Sequence, residues 1–279
     1  MRLQSKVAVV TGGGRGIGRA ISLAFARQGA HVAVLSRTLD EVEEAAGAIR
    51  SLGRPGLAFQ ADVSVQQEVD RVINAVVSEF GKIDILVNNA GVQAPVGPLW
   101  QNDPEVWLNT VRINLGGVFL CCRAVVPFMI QQVSGKIINL SGGGATSPRP
   151  YFSAYAASKA AIVRLTETLA HEVQHYNIQV NAIAPGAVYT KMIEQTLAAG
   201  PLVGEKALAQ AQQVKNEQTP LDAATDLAVF LASEESGKLS GRLISAVWDD
   251  WRRLGETADQ DIGEDLFTLR RITPVSGKE

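Results

Sequence analysis

Only two cysteines occur in this 279-residue chain, and they are neighbours, Cys121 and Cys122. By themselves they make neither a disulfide framework nor a zinc site. On an apolar helical stretch they read as two small buried residues. Histidine is nearly as scarce: His31, His171 and His175 lie outside any Cys or carboxylate cluster. The i, i+4 pair His171 and His175 reads as a solvated helix face, so no metal is expected. Neither sign of charge dominates. The formal net charge of -2 gives no indication of a surface for nucleic acid or membrane. The apolar run after Lys6 is too short for a signal peptide, and no stretch is expected to approach a membrane span. The expectation is a cytoplasmic protein.

What is present is apolar: 46% of the residues are hydrophobic, enough for the core of one α/β domain. Short β-branched runs at 7–11, 32–36, 58–61, 85–88, 136–140, 179–184 and 243–247 alternate with helical patterns. The helices are expected near 19–28, 39–52, 66–80, 104–132 and 154–176. Continuous rather than alternating apolar runs suit strands buried on both faces. Repeated strand-helix units imply right-handed crossovers. The fold class expected is therefore α/β, a single-domain, Rossmann-type, doubly wound parallel sheet with helices on both faces. Residues 1–254 would form one domain. Within it, 189–219 reads as an inserted substrate loop or lid, interrupted by Gly200-Pro201 and Gly204. Residues 255–279 read as an arm, docked or disordered.

The first strand runs into Thr11-Gly12-Gly13-Gly14-Arg15-Gly16-Ile17-Gly18, which opens the first helix. Glycines permit a tight turn and close backbone approach, and a helix N-terminus attracts phosphate. The second strand ends in Leu35-Ser36-Arg37-Thr38. An acidic residue there would suit a ribose 2′-hydroxyl, whereas Arg37, with Arg15 nearby, suits a 2′-phosphate. NADP(H) is accordingly expected over NAD(H). Farther along, Tyr155 and Lys159 stand at i and i+4, on one helix face. An ammonium near a phenol favours the phenolate, giving a group able to exchange protons with an alcohol or ketone.

These motifs, in this order, resemble the short-chain dehydrogenase/reductase family over roughly residues 6–248. The resemblance implies that Gly12, Gly14, Arg15, Ile17 and Gly18 cradle the dinucleotide. It gives Asp62 and Val63 to the adenine, and Asn89, Ala90 and Gly91, after Asn88, to the cofactor's flank. Pro185, Gly186, Val188 and Thr190 would meet the nicotinamide carboxamide. Tyr155 would be the proton donor, Lys159 its activator and ribose ligand, and Asn114 the holder of a relay water. The family's serine, thirteen positions before the tyrosine, falls on Gly142. Either Ser141 shifts into its place, or a backbone N–H of the glycine run binds the substrate oxygen. The activity implied is hydride transfer between NADP(H) and a ketone or secondary alcohol. A cofactor-binding regulator without turnover, and an epimerase or dehydratase using the same site, stay open. The substrate pocket is expected from 93–100, 142–152 and 189–219, with Trp100, Tyr151, Phe152, Tyr189 and Met192 as lining and Arg149 or Lys191 for an anionic group. A homotetramer or dimer is expected, with the arm docked on a neighbouring subunit.

Overall fold

The computed structural model describes residues 1–217, 220–254 and 265–271. Among them, strands β1 (Val7–Thr11), β2 (His31–Ser36), β3 (Gly56–Gln60), β4 (Ile85–Asn88), β5 (Gly135–Leu140), β6 (Ile178–Ala184) and β7 (Leu243–Ser245) form one sheet. Their order is β3-β2-β1-β4-β5-β6-β7, and every pairing is parallel. The order reverses between β1 and β4. At such a switch point a crevice opens beyond the carboxyl ends of the strands.

Side-chain alternation splits each strand between two cores. Ala8, Val10, Val32 and Val34 face helices α1 (Gly16–Arg27) and α2 (Leu39–Ser51), where Ile21, Phe25 and Ile49 are buried. Val7, Val9, Ala33 and Leu35 face the other side, toward α3 (Gln66–Phe80) and its neighbours. Burying one such large side chain contributes about 1.5–3 kcal/mol. Helix α3 stops where Gly81 adopts φ +75, the left-handed conformation that glycine takes without strain.

The run expected as one helix over 104–132 is three pieces end to end. Helix α4 (Pro104–Val111) passes through a π turn, Arg112–Gly116, into α5 (Gly117–Gln132). This run corrects the expectation that no stretch approaches a membrane span. By length and composition alone Pro104–Gln132 is long and apolar enough, holding an 18-residue window of mean hydropathy 1.8. Its apolar side chains Val118, Cys121, Cys122, Val125 and Met129 are nevertheless buried in the second core. The two cysteines are free, and burial pushes the Cys122 thiol up to about 12.

After α6 (Ser153–Val173) and β6, the insertion forms α7 (Lys191–Ala199), a 3-10 turn and α8 (Glu205–Glu217). Helix α9 (Asp222–Ala232) returns to the sheet, and α10 (Trp251–Leu254) follows β7. Of the arm, residues 265–271 pack against their own chain. Leu243 N donates to Phe267 O at 2.7 Å, and Leu269 N donates to the buried Glu167 carboxylate at 2.8 Å. The remainder of the arm, and Gln218 and Thr219 of the insertion, fall outside the described residues.

Candidate active site

The glycine loop joins β1 to α1 at the switch point. Gly12 (φ +62) and Gly16 (φ +53) take the conformation that side chains resist. A Cβ on Gly12 would lie 2.8 Å from Asn89 Nδ2, and one on Gly18 would collide with Gly12 O. The Asn89 amide donates to Thr11 O and Gly12 O at 2.9 and 3.1 Å. Thr11 Oγ1 accepts from the N–H groups of Asn89 and Ala90. The fourth-strand motif therefore braces the loop. No side chain caps the start of α1, and its first turn holds no acid, so its N–H groups are available to an anion. Thr190 lies alongside, its Cγ2 3.6 Å from a Cβ built on Gly16. Gly186 has φ +84, and Val188 is buried.

Beyond β2, Arg37 is exposed, and its guanidinium has no partner among the described residues. Arg15, expected to lie nearby, pairs with Glu41 at 3.3 Å. Asp62 turns one carboxylate oxygen to Ser64, accepting from its N–H and its hydroxyl. Val63 packs against Gly117, where a Cβ would come within 2.7 Å.

Tyr155 and Lys159 meet at the carboxyl end of β5, 6% and 4% exposed. The Lys159 ammonium donates to Leu140 O at 2.6 Å and lies 5.5 Å from the centre of the Tyr155 ring. Burial pulls it down to about 8. Burial likewise pushes the Tyr155 phenol up, and the cation that draws it back is Arg149. One expected role is corrected. The Ser141 hydroxyl donates to Lys159 O at 3.3 Å, inside the packing between β5 and α6. The residue facing the phenol is Gly142, where a Cβ would stand 2.7 Å from Tyr155 Oη. The register read from the sequence was right, and Ser141 does not shift into it. The Asn114 side chain is fully buried on the π turn. Its oxygen accepts from Val92 N at 2.8 Å, and its amide donates to Val92 O and Ser158 Oγ, both at 2.9 Å. Both of its N–H groups are used in these bonds. The asparagine positions the segment after β4 against α6.

A model of the short chain dehydrogenase family matches residues 6–199. The chain belongs to the short-chain dehydrogenase family. It is 35% identical over 255 residues to the 3-oxoacyl-(acyl-carrier-protein) reductase FabG of Thermotoga maritima, covering 88% of this chain and 97% of that one. It is 34% identical over 245 residues to the 2,3-dihydro-2,3-dihydroxybenzoate dehydrogenase of Bacillus subtilis, covering 85% and 93%. Among solved structures, NAD+-bound xylitol dehydrogenase matches with a TM-score of 0.81 at 32% identity, covering 88% and 98%. Levodione reductase matches with a TM-score of 0.81 at 29% identity, covering 92% and 99%. The glycine loop, the uncapped start of α1 and the neighbouring Thr190 fit a nicotinamide dinucleotide. Such a cofactor, when bound, supplies or accepts the hydride.

In this short-chain dehydrogenase the inserted helices sit over Tyr155. Phe152, Tyr155 and Val203 form a small core with Met192, Ala199 and Leu208 packed against it. The Gln93 amide donates to Met192 O and Thr196 Oγ1 at 2.6 and 3.0 Å, tying α7 to the segment after β4. Of the expected pocket lining, Phe152 is wholly buried as packing, and Trp100 is 82% exposed. Tyr151 (φ +69) lies against Gly204 of the insertion. A separate cavity of about 210 Å³, lined by Lys6, Asp84, Lys136 and Glu234, opens at the amino ends of the strands, away from this chemistry.

A buried ammonium is a cost to the fold. Lys159 is depressed when folded, so below about pH 8 both states hold the proton and the folded state bears the penalty. The penalty fades as pH rises toward ~10.4, the unfolded value. Lys159→Met should therefore unfold at higher urea than the wild type at pH 7, by at most about 3 kcal/mol. The gap should narrow at pH 10. A variant less stable at both pH values would contradict this.

Proposed function

We propose that this short-chain dehydrogenase interconverts a ketone and a secondary alcohol with NADP(H), Tyr155 acting as the general acid and base. The observation that carries the reading is a buried phenol set among cations at the mouth of a dinucleotide loop. In reduction Tyr155 gives its proton to the carbonyl oxygen as that oxygen gains charge, and in oxidation the phenolate takes it from the alcohol. Lys159 holds the Leu140 carbonyl and presents its charge beside Gly91, on the cofactor's flank. The substrate side is largely apolar, walled by Met192, Val203 and Leu208, which suits a hydrophobic ketone or alcohol. A screen of ketones and aldehydes with NADPH, followed by absorbance of the reduced nicotinamide, tests this. Cofactor binding without consumption by any carbonyl class would favour the second reading, a binding protein without turnover, to which the missing hydroxyl at Gly142 points.

The preference for NADP(H) rests on Arg37, a guanidinium without a partner among the described residues at the end of β2. Arg37→Ala is expected to weaken NADPH binding about tenfold or more, the loss of one charge-assisted phosphate contact, and to leave NADH binding nearly unchanged. Equal losses for the two cofactors, by fluorescence titration, would assign Arg37 another role. The proposal includes self-association with further copies of the chain. Leu108 and Phe119 on the α4–α5 run are half exposed, and sedimentation measures the assembly. It also places the protein in the cytoplasm, a reading with which two free, buried thiols accord.

A further inference from the structure

The hydroxyl that the family resemblance leads one to expect beside Tyr155 is absent. Ser141 bonds the backbone of α6, and at Gly142 even a methyl would press on the phenol oxygen. Something else occupies that side of the phenol. The chain leaves β5 through Gly142, Gly143 and Gly144, and its return before α6 carries Arg149 back over the site. The guanidinium carbon lies 4.2 Å from the centre of the Phe152 ring and 5.2 Å from that of Tyr155. The glycines are fitted to it. A Cβ on Gly143 would stand 3.7 Å from Arg149 Nη1, and one on Gly144 (φ +98) would stand 3.2 Å from Arg149 Cβ. No carboxylate pairs with Arg149 among the described residues. The acidic group it faces is the Tyr155 phenol, whose ring centre lies 5.2 Å from the guanidinium carbon and whose ionisation the positive charge favours.

We propose that Arg149 is a catalytic residue that replaces the absent hydroxyl, holding the substrate oxygen beside Tyr155 and stabilising the phenolate after proton transfer. The proposal rests on the reading of Tyr155 as the acid. In reduction a hydride from the reduced dinucleotide reaches the carbonyl carbon, and the dinucleotide is oxidised. The C=O electron pair moves to oxygen, the Tyr155 O–H bond breaks, and the alcohol O–H bond forms. The negative charge left on Tyr155 faces a guanidinium, which stays protonated and presents several N–H donors in a fixed plane. A hydroxyl would give one neutral hydrogen bond at that position, whereas the guanidinium gives a charge-assisted one.

The test does not depend on turnover alone. Phenolate absorbance is titrated in the cofactor-free protein, and the Tyr155→Phe titration is subtracted to isolate Tyr155. In Arg149→Ala the Tyr155 ionisation should move up by about one pH unit or more. Its kcat/KM should fall by about 10²–10³, the usual loss for one oxyanion donor. Added guanidinium ion should restore part of the rate, and Arg149→Lys should keep the ionisation closer to the wild-type pH. An unshifted ionisation in a variant that still binds cofactor would overturn the proposal, as would a loss in kcat/KM smaller than threefold. If Arg149→Ala fails to fold, the same two readings on Arg149→Gln decide. Failure of Tyr155 as the acid would show differently, as full activity in Tyr155→Phe, and failure of the dehydrogenase reading as cofactor binding with no NADPH consumed by the wild type.

Discussion

Tyr155→Phe should lower kcat/KM by about 10²–10⁴, the usual contribution of a positioned proton donor, and should leave cofactor affinity within a factor of two or three. The expectation follows from what the substitution keeps. The phenyl ring still fills its place against Phe152, Val203 and Met192, so the wall of the site and the seat of the insertion survive. Lys159 still holds the Leu140 carbonyl, because that bond does not involve the phenol. Only the exchangeable proton is lost. The pH profile separates this loss from simple damage. Burial pushes the phenol up and Arg149 draws it back, so the wild type keeps the protonated, reductive form at neutral pH. Oxidation needs the phenolate, so its rate in the wild type should climb with pH until Tyr155 titrates. In Tyr155→Phe that climbing limb should vanish from whatever rate persists. A loss below tenfold with the limb intact would remove Tyr155 from the chemistry.

The sheet and the nucleotide loop were legible because each depends on short-range pattern. Residues 7–11 and 85–88 read as strands from apolar runs alone, and β1 and β4 occupy those same residues. The third strand was read at 58–61, whereas β3 begins at Gly56. Glycine carries no strand signal, and what brings it into the sheet is pairing with Val32 of β2. The π turn left no mark in the sequence, since one extra backbone residue per turn has no composition of its own. It carries Asn114, whose side chain ties the segment after β4 to α6. Arg149 was visible only as a loop arginine that could meet an anionic substrate. Its place over Tyr155 depends on left-handed backbone at Gly144 and Tyr151, which a linear reading does not show. Ser141 illustrates the opposite risk, a plausible residue one position away from the point where chemistry needs it.

Gly142 is where that one position can be tested. Gly142→Ala is expected to cost about 10² in kcat/KM with little loss of stability. The added methyl would stand 2.7 Å from Tyr155 Oη, closer than carbon and oxygen tolerate. The strand end is held by Ser141 N, which donates to Ile183 O at 2.8 Å, so the backbone has little room to retreat. The phenol is the part that moves. A displacement of about 1 Å at a reacting group commonly costs 10²-fold, because the productive alignment is lost while binding is kept. The loss should therefore fall on kcat more than on KM. Gly142→Ser carries the same Cβ and adds the hydroxyl that the family resemblance leads one to expect there. If the glycine were merely a missing serine, this variant would be the faster enzyme. If the glycine is the space that Tyr155 and Arg149 require, it should be as slow as Gly142→Ala. In Gly142→Ser/Arg149→Ala the guanidinium is gone while the crowding at Tyr155 Oη remains. Its rate should then be no better than that of the slower single variant. A recovery in the double variant would show that hydroxyl and guanidinium are interchangeable at the substrate oxygen, and that the glycine spares room for neither in particular.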